Sequence, residues 1–156
     1  MKVIIAGGGI GGMSAALALL LKGIDVEVHE QASELKEVGA GIQISPNGCR
    51  ALDALGVFHT LKELSCDPVR KEFRLWNTGK AWPLFDLGKS AIDKYGYPYL
   101  TVYRPDMLDT LTNAVRALKP DAIQLGSRAA GFVQDDTSAT LLLADGRKIT
   151  GDVLIG

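Results

Sequence analysis

The sequence predicts an α/β fold built on a parallel sheet, and two features near the N-terminus carry that prediction. The first is order: an apolar run (Val3, Ile4, Ile5, Ala6), a knot of glycines, an Ala/Leu-rich stretch, then a second apolar run ending at Glu30. The second is periodicity, which passes from strand-like to helix-like and back within that segment. A strand–helix–strand crossover of this kind makes its two strands parallel. The pattern is Rossmann-like.

Each element follows from local chemistry. Val3 to Ala6 is a continuous apolar run bounded by glycine, as in a strand buried on both faces. Met13 to Lys22 is rich in strong helix formers, and Gly23 stands where a helix C-terminus favours glycine. Ile24 to Glu30 alternates Val26 and Val28 with polar neighbours and reads as the second strand. In "EVGAGIQISPNGCRALDALG", Gly39 and Gly41 mark a tight loop. Ser45 is the expected N-cap of the helix that follows, Pro46 its first residue, and Ala51, Leu52 and Leu55 its apolar face. Val69 to about Tyr103 reads as irregular and strand-like, with "NTGK" as a turn and "YGYPY" as a loop.

"RPDMLDTLTNAVRALK" is a clearer helix, with Pro105 at its first position, Arg104 therefore at the N-cap, and Leu108, Leu111, Val115 and Leu118 at helical spacing. "AIQLG" reads as a third buried strand. "RAAGFVQDDTSATLLLADGRKITG" reads as a three-stranded meander turning at Asp135-Asp136 and Asp145-Gly146. The closing "DVLIG" is another buried-strand pattern. A strand of that kind is expected to be covered by a further segment of a longer protein, by a partner, or by self-association.

Composition narrows the function classes. At 156 residues with 47% hydrophobic residues, the chain is long enough for a real core. A formal net charge of −1 without a Lys/Arg block argues against nucleic acid or an anionic membrane as partner. Lys2 followed by apolar residues resembles a signal peptide, but the glycines from Gly7 to Gly12 interrupt the apolar stretch. Cys49 and Cys66 show neither disulfide nor zinc spacing, so a soluble cytoplasmic protein is expected. His29 and His59 are the two histidines. They support neither a metal site nor a Ser-His-acid arrangement, and sheet packing is the expected role of His29. Packing is likewise expected for the aromatics Trp76, Trp82, Phe85, Tyr95, Tyr97 and Tyr99 ahead of a ring-binding wall.

The chemistry is concentrated in the glycines. Gly7, Gly9 and Gly12 satisfy G-x-G-x-x-G between a strand and a helix, with an acid closing the next strand. Gly7 permits the turn, Gly9 removes the side chain that would block a diphosphate, and Gly12 lets helix and strand approach. The helix N-terminus supplies unpaired N–H groups and partial positive charge. Glu30 is the natural acceptor for a ribose hydroxyl, and its charge disfavours a 2′-phosphate. The competing reading is a packing turn beside an exposed Glu. Between NAD and FAD the loop does not choose.

Beyond the loop, "GGGIGG", "HEQASELKEVGAGIQISPNG", "YGYPYLTVYRPDMLDTL" and "GDVLIG" occur in an order that resembles the class A FAD-dependent monooxygenases, the aromatic hydroxylases of the salicylate and hydroxybenzoate hydroxylase kind. The resemblance runs through essentially the whole chain. It implies a Rossmann-like FAD-binding domain with a β-meander crossover, truncated here, with about 69–103 belonging to an incomplete substrate domain. It implies FAD as cofactor, NAD(P)H as transient co-substrate and a small phenolic or carboxylated aromatic as substrate.

By the same resemblance, Gly7, Gly9, Ile10, Gly11, Gly12, Glu30 and Gln31 hold the adenosine half and Ala129 backs the adenine. Gly41, Gln43 and Arg104 lie toward the flavin. Some relatives have a histidine base at the position of Gln43; an amide orients a substrate but does not deprotonate it. Catalytic residues are not identified, and the chain alone is expected to be incompetent for turnover. Two alternatives stay open: a non-catalytic dinucleotide-binding module, and a truncated subunit that needs a partner chain. A short-chain dehydrogenase is disfavoured, because no tyrosine among Tyr95, Tyr97, Tyr99 and Tyr103 has lysine four residues on.

Overall fold

The computed structural model describes residues 1–35 and 39–156. The chain forms two compact units, Met1–Glu37 with Met107–Gly156, and Val38–Asp106.

The first unit carries the expected parallel sheet. Strands β1 (Lys2–Ala6) and β2 (Asp25–His29) pair in parallel with Val3 opposite Val26 and Ile5 opposite Val28. Helix α1 (Ile10–Leu20) connects them. It begins three residues before the predicted Met13, because Gly11 and Gly12 are taken into its first turn. At its other end Gly23, at φ 73°, donates to Leu20 O and Ile24 N–H reaches Leu19 O, the two-bond closure for which glycine is favoured.

The second unit comes next in the chain. It holds β3 (Gly41–Ile44), α2 (Pro46–Ala54), α3 (Phe58–Glu63), β4 (Arg70–Arg74), β5 (Ala81–Asp86), α4 (Lys89–Tyr95) and β6 (Leu100–Tyr103). β3 pairs antiparallel with β6, and β4 with β5. The "NTGK" turn forms as expected, with Gly79 at φ 68° and Leu75 N–H donating to Lys80 O. Three expectations need correction. Ala51 of the expected α2 face is exposed, while Leu52 is buried as expected, together with Cys49 one helical step away. α3 and α4 were not foreseen; both are short and lie in stretches without a sustained apolar period. Asp86 starts α4 by accepting Gly88 N–H, and Gly96 at φ 77° ends it. Finally, Trp76, Trp82, Phe85 and Tyr95 are exposed rather than packed, Trp76 by 95%.

Helix α5 (Arg104–Leu118) returns the chain to the first unit, burying Met107, Leu108, Leu111 and Val115. It starts at Arg104 itself, one residue earlier than its proline suggested, and Leu118 of the predicted face is exposed. The third strand is shorter than predicted: β7 is Ile123–Gln124 only, parallel to β2, because Gly126 at φ 62° turns the chain away. The meander forms as β8 (Ala129–Gln134), β9 (Ala139–Leu143) and β10 (Lys148–Gly151), joined at the two predicted turns. At the first, the Asp135 carboxylate takes the N–H groups of Thr137 and Ser138, which with both hydroxyls hold its pKa down at about 2. β11 (Val153–Ile155) then joins β1 in parallel, giving the order β11-β1-β2-β7. As the edge strand it leaves Val153 and Ile155 exposed by 40% and 36%, the uncovered state expected of this strand without a further segment or partner.

One face of β1 meets α1; the other is covered by the meander. Ile4 packs against Leu141 and Leu143, with Ala6, Ile149 and Leu154 around them. Each of those three central side chains is at most 4% exposed. Truncation of Leu141 to alanine therefore leaves a cavity and is expected to cost about 2–5 kcal/mol, read as a fall in the urea midpoint without change of slope.

Candidate dinucleotide site

The site begins where β1 stops. Gly7 at φ 118° adopts a backbone open mainly to glycine, and its N–H donates to His29 O at 2.9 Å, tying the loop to the end of β2. Gly12 is required by packing, since a Cβ there would collide with the Gly7 carbonyl oxygen. Gly9 and Gly11 differ from both. Gly9, at φ −74°, has a conformation any residue adopts, and a Cβ on either glycine meets nothing within 4 Å. Neither position needs glycine for the chain's own sake; both are bare toward open space. Gly9 also caps α1 without a side-chain hydrogen bond, and the first turn holds no acid. The helix thus offers its N–H groups and positive end to an external anion.

Glu30 closes the loop from the other side. Its Oε2 accepts Gly8 N–H at 2.6 Å and its Oε1 accepts Ala32 N–H at 2.8 Å. Gly8 is glycine for this reason, as a Cβ there would stand 3.0 Å from Glu30 Cβ. Two small hollows flank the carboxylate. One, of about 170 Å³, is bounded by Gly8, Gly9, Glu34, Leu35 and Leu108. The other, of about 190 Å³, is bounded by Ala6, Gly7, His29, Gln31, Ser127 and Ala129. Of the residues singled out in the sequence, Gly7, Glu30, Gln31 and Ala129 meet at one hollow and Gly9 borders the other; Ile10 begins α1, half-buried. A larger hollow of about 650 Å³ runs along the meander past Phe132, Thr137 and Val153. The Asp135 carboxylate on its rim is already occupied by its own turn, and no group of the glycine loop reaches it.

Sequence reasoning missed Gly8, Ser127 and Leu108. A third glycine inside G-x-G was the available signal for Gly8. Ser127, 1% exposed, donates its N–H to Glu30 O at 2.8 Å, a contact between distant segments that no local pattern encodes.

Gly41, Gln43 and Arg104 lie in the second unit. Gly41 opens β3 and Gln43 stands exposed two residues on, its Oε1 accepting from Tyr99 OH at 3.1 Å. Arg104 is half-buried, and its N–H donates to Ala40 O at 3.0 Å. A Cβ at Gly39 would meet the phenol of Tyr103, the far end of an exposed side chain. Gln43 and Arg104 are thus fixed at the two ends of one antiparallel pair.

A parallel sheet, a glycine loop bared at two positions, an uncapped helix N-terminus and a carboxylate at the end of β2 define a dinucleotide-binding α/β domain. The comparisons are more specific. A family described as an FAD binding domain matches residues 1–155, and the chain belongs to that family. The 6-hydroxynicotinate 3-monooxygenase of Pseudomonas fluorescens is 33% identical over 99% of this chain and 40% of its own length. The 3-hydroxybenzoate 6-hydroxylase of Polaromonas naphthalenivorans is 33% identical over 100% and 39%. Among solved structures, a 2-methyl-3-hydroxypyridine-5-carboxylic acid oxygenase superposes with TM-score 0.83 at 32% identity, over 99% of this chain and 38% of that one. Klebsiella pneumoniae HpxO, solved with FAD and uric acid, gives 0.82 at 30% identity, again over 99% and 38%. The chain therefore spans about two fifths of the length of these relatives.

The glycine geometry separates binding from folding. Gly9→Ala is expected to keep the urea midpoint within about 0.5 kcal/mol of wild type and to weaken FAD binding at least tenfold by calorimetry. Gly12→Ala is expected to lose about 2 kcal/mol or more of stability, because the intruding methyl meets backbone that cannot yield.

Proposed function

We propose that this chain is the FAD-binding portion of a flavoprotein monooxygenase that hydroxylates a small phenolic or carboxylated aromatic using NAD(P)H and O₂. The observation that carries the cofactor side is the pair Gly9 and Gly11, bare where the chain itself has no need of glycine. The reaction class rests on relatives whose names specify hydroxylation of hydroxybenzoates and a hydroxynicotinate. FAD, when bound, supplies acceptance of electrons from NAD(P)H and activation of oxygen.

The residues fit that cofactor. Gly7, Gly9, Ile10, Gly11 and Gly12 present backbone N–H groups and the α1 dipole to the diphosphate. Glu30 uses one lone pair on each oxygen within the chain, leaving others for ribose hydroxyls. Gln31 and Ala129 border the hollow assigned to the adenine. Gly41, Gln43 and Arg104 serve the flavin end. With its Oε1 engaged by Tyr99, Gln43 keeps its amide N–H₂ as a donor; it orients an acceptor and removes no proton. Residues 69–103, with exposed Phe73, Trp76, Trp82 and Phe85, form part of the substrate domain. Among the described residues no helix is long and apolar enough to cross a membrane, and both cysteines are free thiols, which supports a cytoplasmic setting.

The purified chain, mixed with FAD and passed through gel filtration, is expected to carry flavin absorbance with it. A chain that stays colourless yet binds NAD overturns the reading. In a longer protein containing this segment, a hydroxybenzoate is expected to accelerate NADH or NADPH oxidation with formation of a hydroxylated product.

A further inference from the structure

The second unit contains a hollow that the glycine site does not use. Its volume is about 460 Å³, and among the described residues it is bounded by the start of α2, the end of β5, α4 and the residue before β6. That size falls within the range of about 300–1,000 Å³ usual for small-molecule sites. Its walls are largely apolar. Three aromatic side chains converge there from separate segments: Phe85 from β5, Tyr95 from α4 and Tyr99 from the approach to β6. Phe85 and Tyr95 are more than half exposed, by 63% and 57%. One exposed ring is ordinary on a protein surface, but three around one hollow form a bed for another flat ring.

The polar groups of the hollow divide by whether the chain already engages them. Ser45 Oγ and Asn47 Oδ1 bond each other at 2.5 Å. Asp86 accepts from the Ser90 side chain and from Gly88 N–H, the latter at 2.9 Å. Arg50 stands apart: among the described residues it makes neither an ion pair nor a hydrogen bond. Asp53, three residues on along α2, is placed to serve it, but Asp53 accepts Tyr97 OH at 2.7 Å instead. An exposed arginine without a partner means little on its own. Here it borders an aromatic bed, and its planar fork matches a carboxylate in two hydrogen bonds. Asp86 on the same hollow remains charged, so a single carboxylate is favoured there over a dianion.

The geometry points to this hollow as the seat of an aromatic monocarboxylate, with Arg50 as the residue that recognises the carboxylate. The ligand ring lies against Phe85, Tyr95 and Tyr99, and its carboxylate meets the Arg50 fork. Tyr99 ties the seat to the neighbouring strand, because its OH donates to Gln43 Oε1 at 3.1 Å and Gln43 is the residue assigned above to the flavin end. That the seated acid is the substrate rests on the FAD reading; that the hollow takes such an acid does not. Of the phenolic and carboxylated aromatics named above, Arg50 selects the carboxylated ones.

The test is calorimetric titration of the whole chain, without FAD, using 3-hydroxybenzoate and, as the same ring without its carboxylate, phenol. 3-Hydroxybenzoate is expected to bind saturably at one site and phenol at least tenfold more weakly. Arg50→Gln is expected to weaken 3-hydroxybenzoate at least tenfold and leave phenol unchanged, and Arg50→Lys to recover part of the loss. Because Arg50 is exposed and unpaired, both variants are expected to keep the wild-type circular dichroism and urea midpoint. Tyr95→Ala removes one wall and is expected to weaken both ligands. Absence of saturable 3-hydroxybenzoate binding by folded wild type overturns the proposal, as does an Arg50→Gln variant that separates acid from phenol as wild type does. Either result leaves the FAD reading intact, since co-elution of FAD is measured separately. A chain that binds the acid but not FAD keeps the seat and overturns its role as a substrate site.

Discussion

The closeness of α1 to β1 at Gly7 and Gly12 is the constraint on which the first unit depends. The helix starts almost on top of the strand it leaves, near enough that Gly12 has no room for a methyl group beside the Gly7 carbonyl. That approach aims the helix N-terminus across the end of the sheet. It also sets where the loop lies, and so which side chain of β2 reaches it. Glu30 does so because the parallel register places the ends of β1 and β2 level, Ala6 opposite His29. A looser crossover would leave the same residues present and the site unformed.

Three kinds of glycine follow from that one geometry. Gly7 answers to backbone conformation, Gly12 and Gly8 to packing within the chain, and Gly9 and Gly11 to neither. A sequence motif counts these positions alike. Only the surroundings of each missing Cβ separate the glycines the fold needs from those it does not.

The fold was legible where local chemistry and burial agree. The first crossover, the meander with its Asp135 and Asp145 turns, and α5 all combine strong periodicity with residues suited to their ends. It was not legible where tertiary context takes over. α4 is set off by a turn in which Asp86 accepts Gly88 N–H and by an αL glycine rather than by an apolar stripe, so it was hidden inside a stretch rich in aromatics. "AIQLG" has the composition of a core strand, yet Gly126 ends its pairing after two residues. At the site, Glu30 and the glycines could be read from spacing. Ser127 could not, because its bond to Glu30 joins positions nearly a hundred residues apart, a separation no window of sequence spans.

The clasp on Glu30 has a consequence for discrimination. A surface glutamate ordinarily swings aside on its three rotatable bonds when an unwelcome charge approaches, and so rejects it weakly. Here each carboxylate oxygen is already fastened to a backbone N–H, one before α1 and one after β2. The side-chain entropy was lost during folding, so under the proposed role a ribose hydroxyl would find its acceptor already in place. A phosphate on the same ribose would then meet a negative charge with nowhere to go. Selectivity between nucleotides then rests less on the presence of an acid than on its immobility.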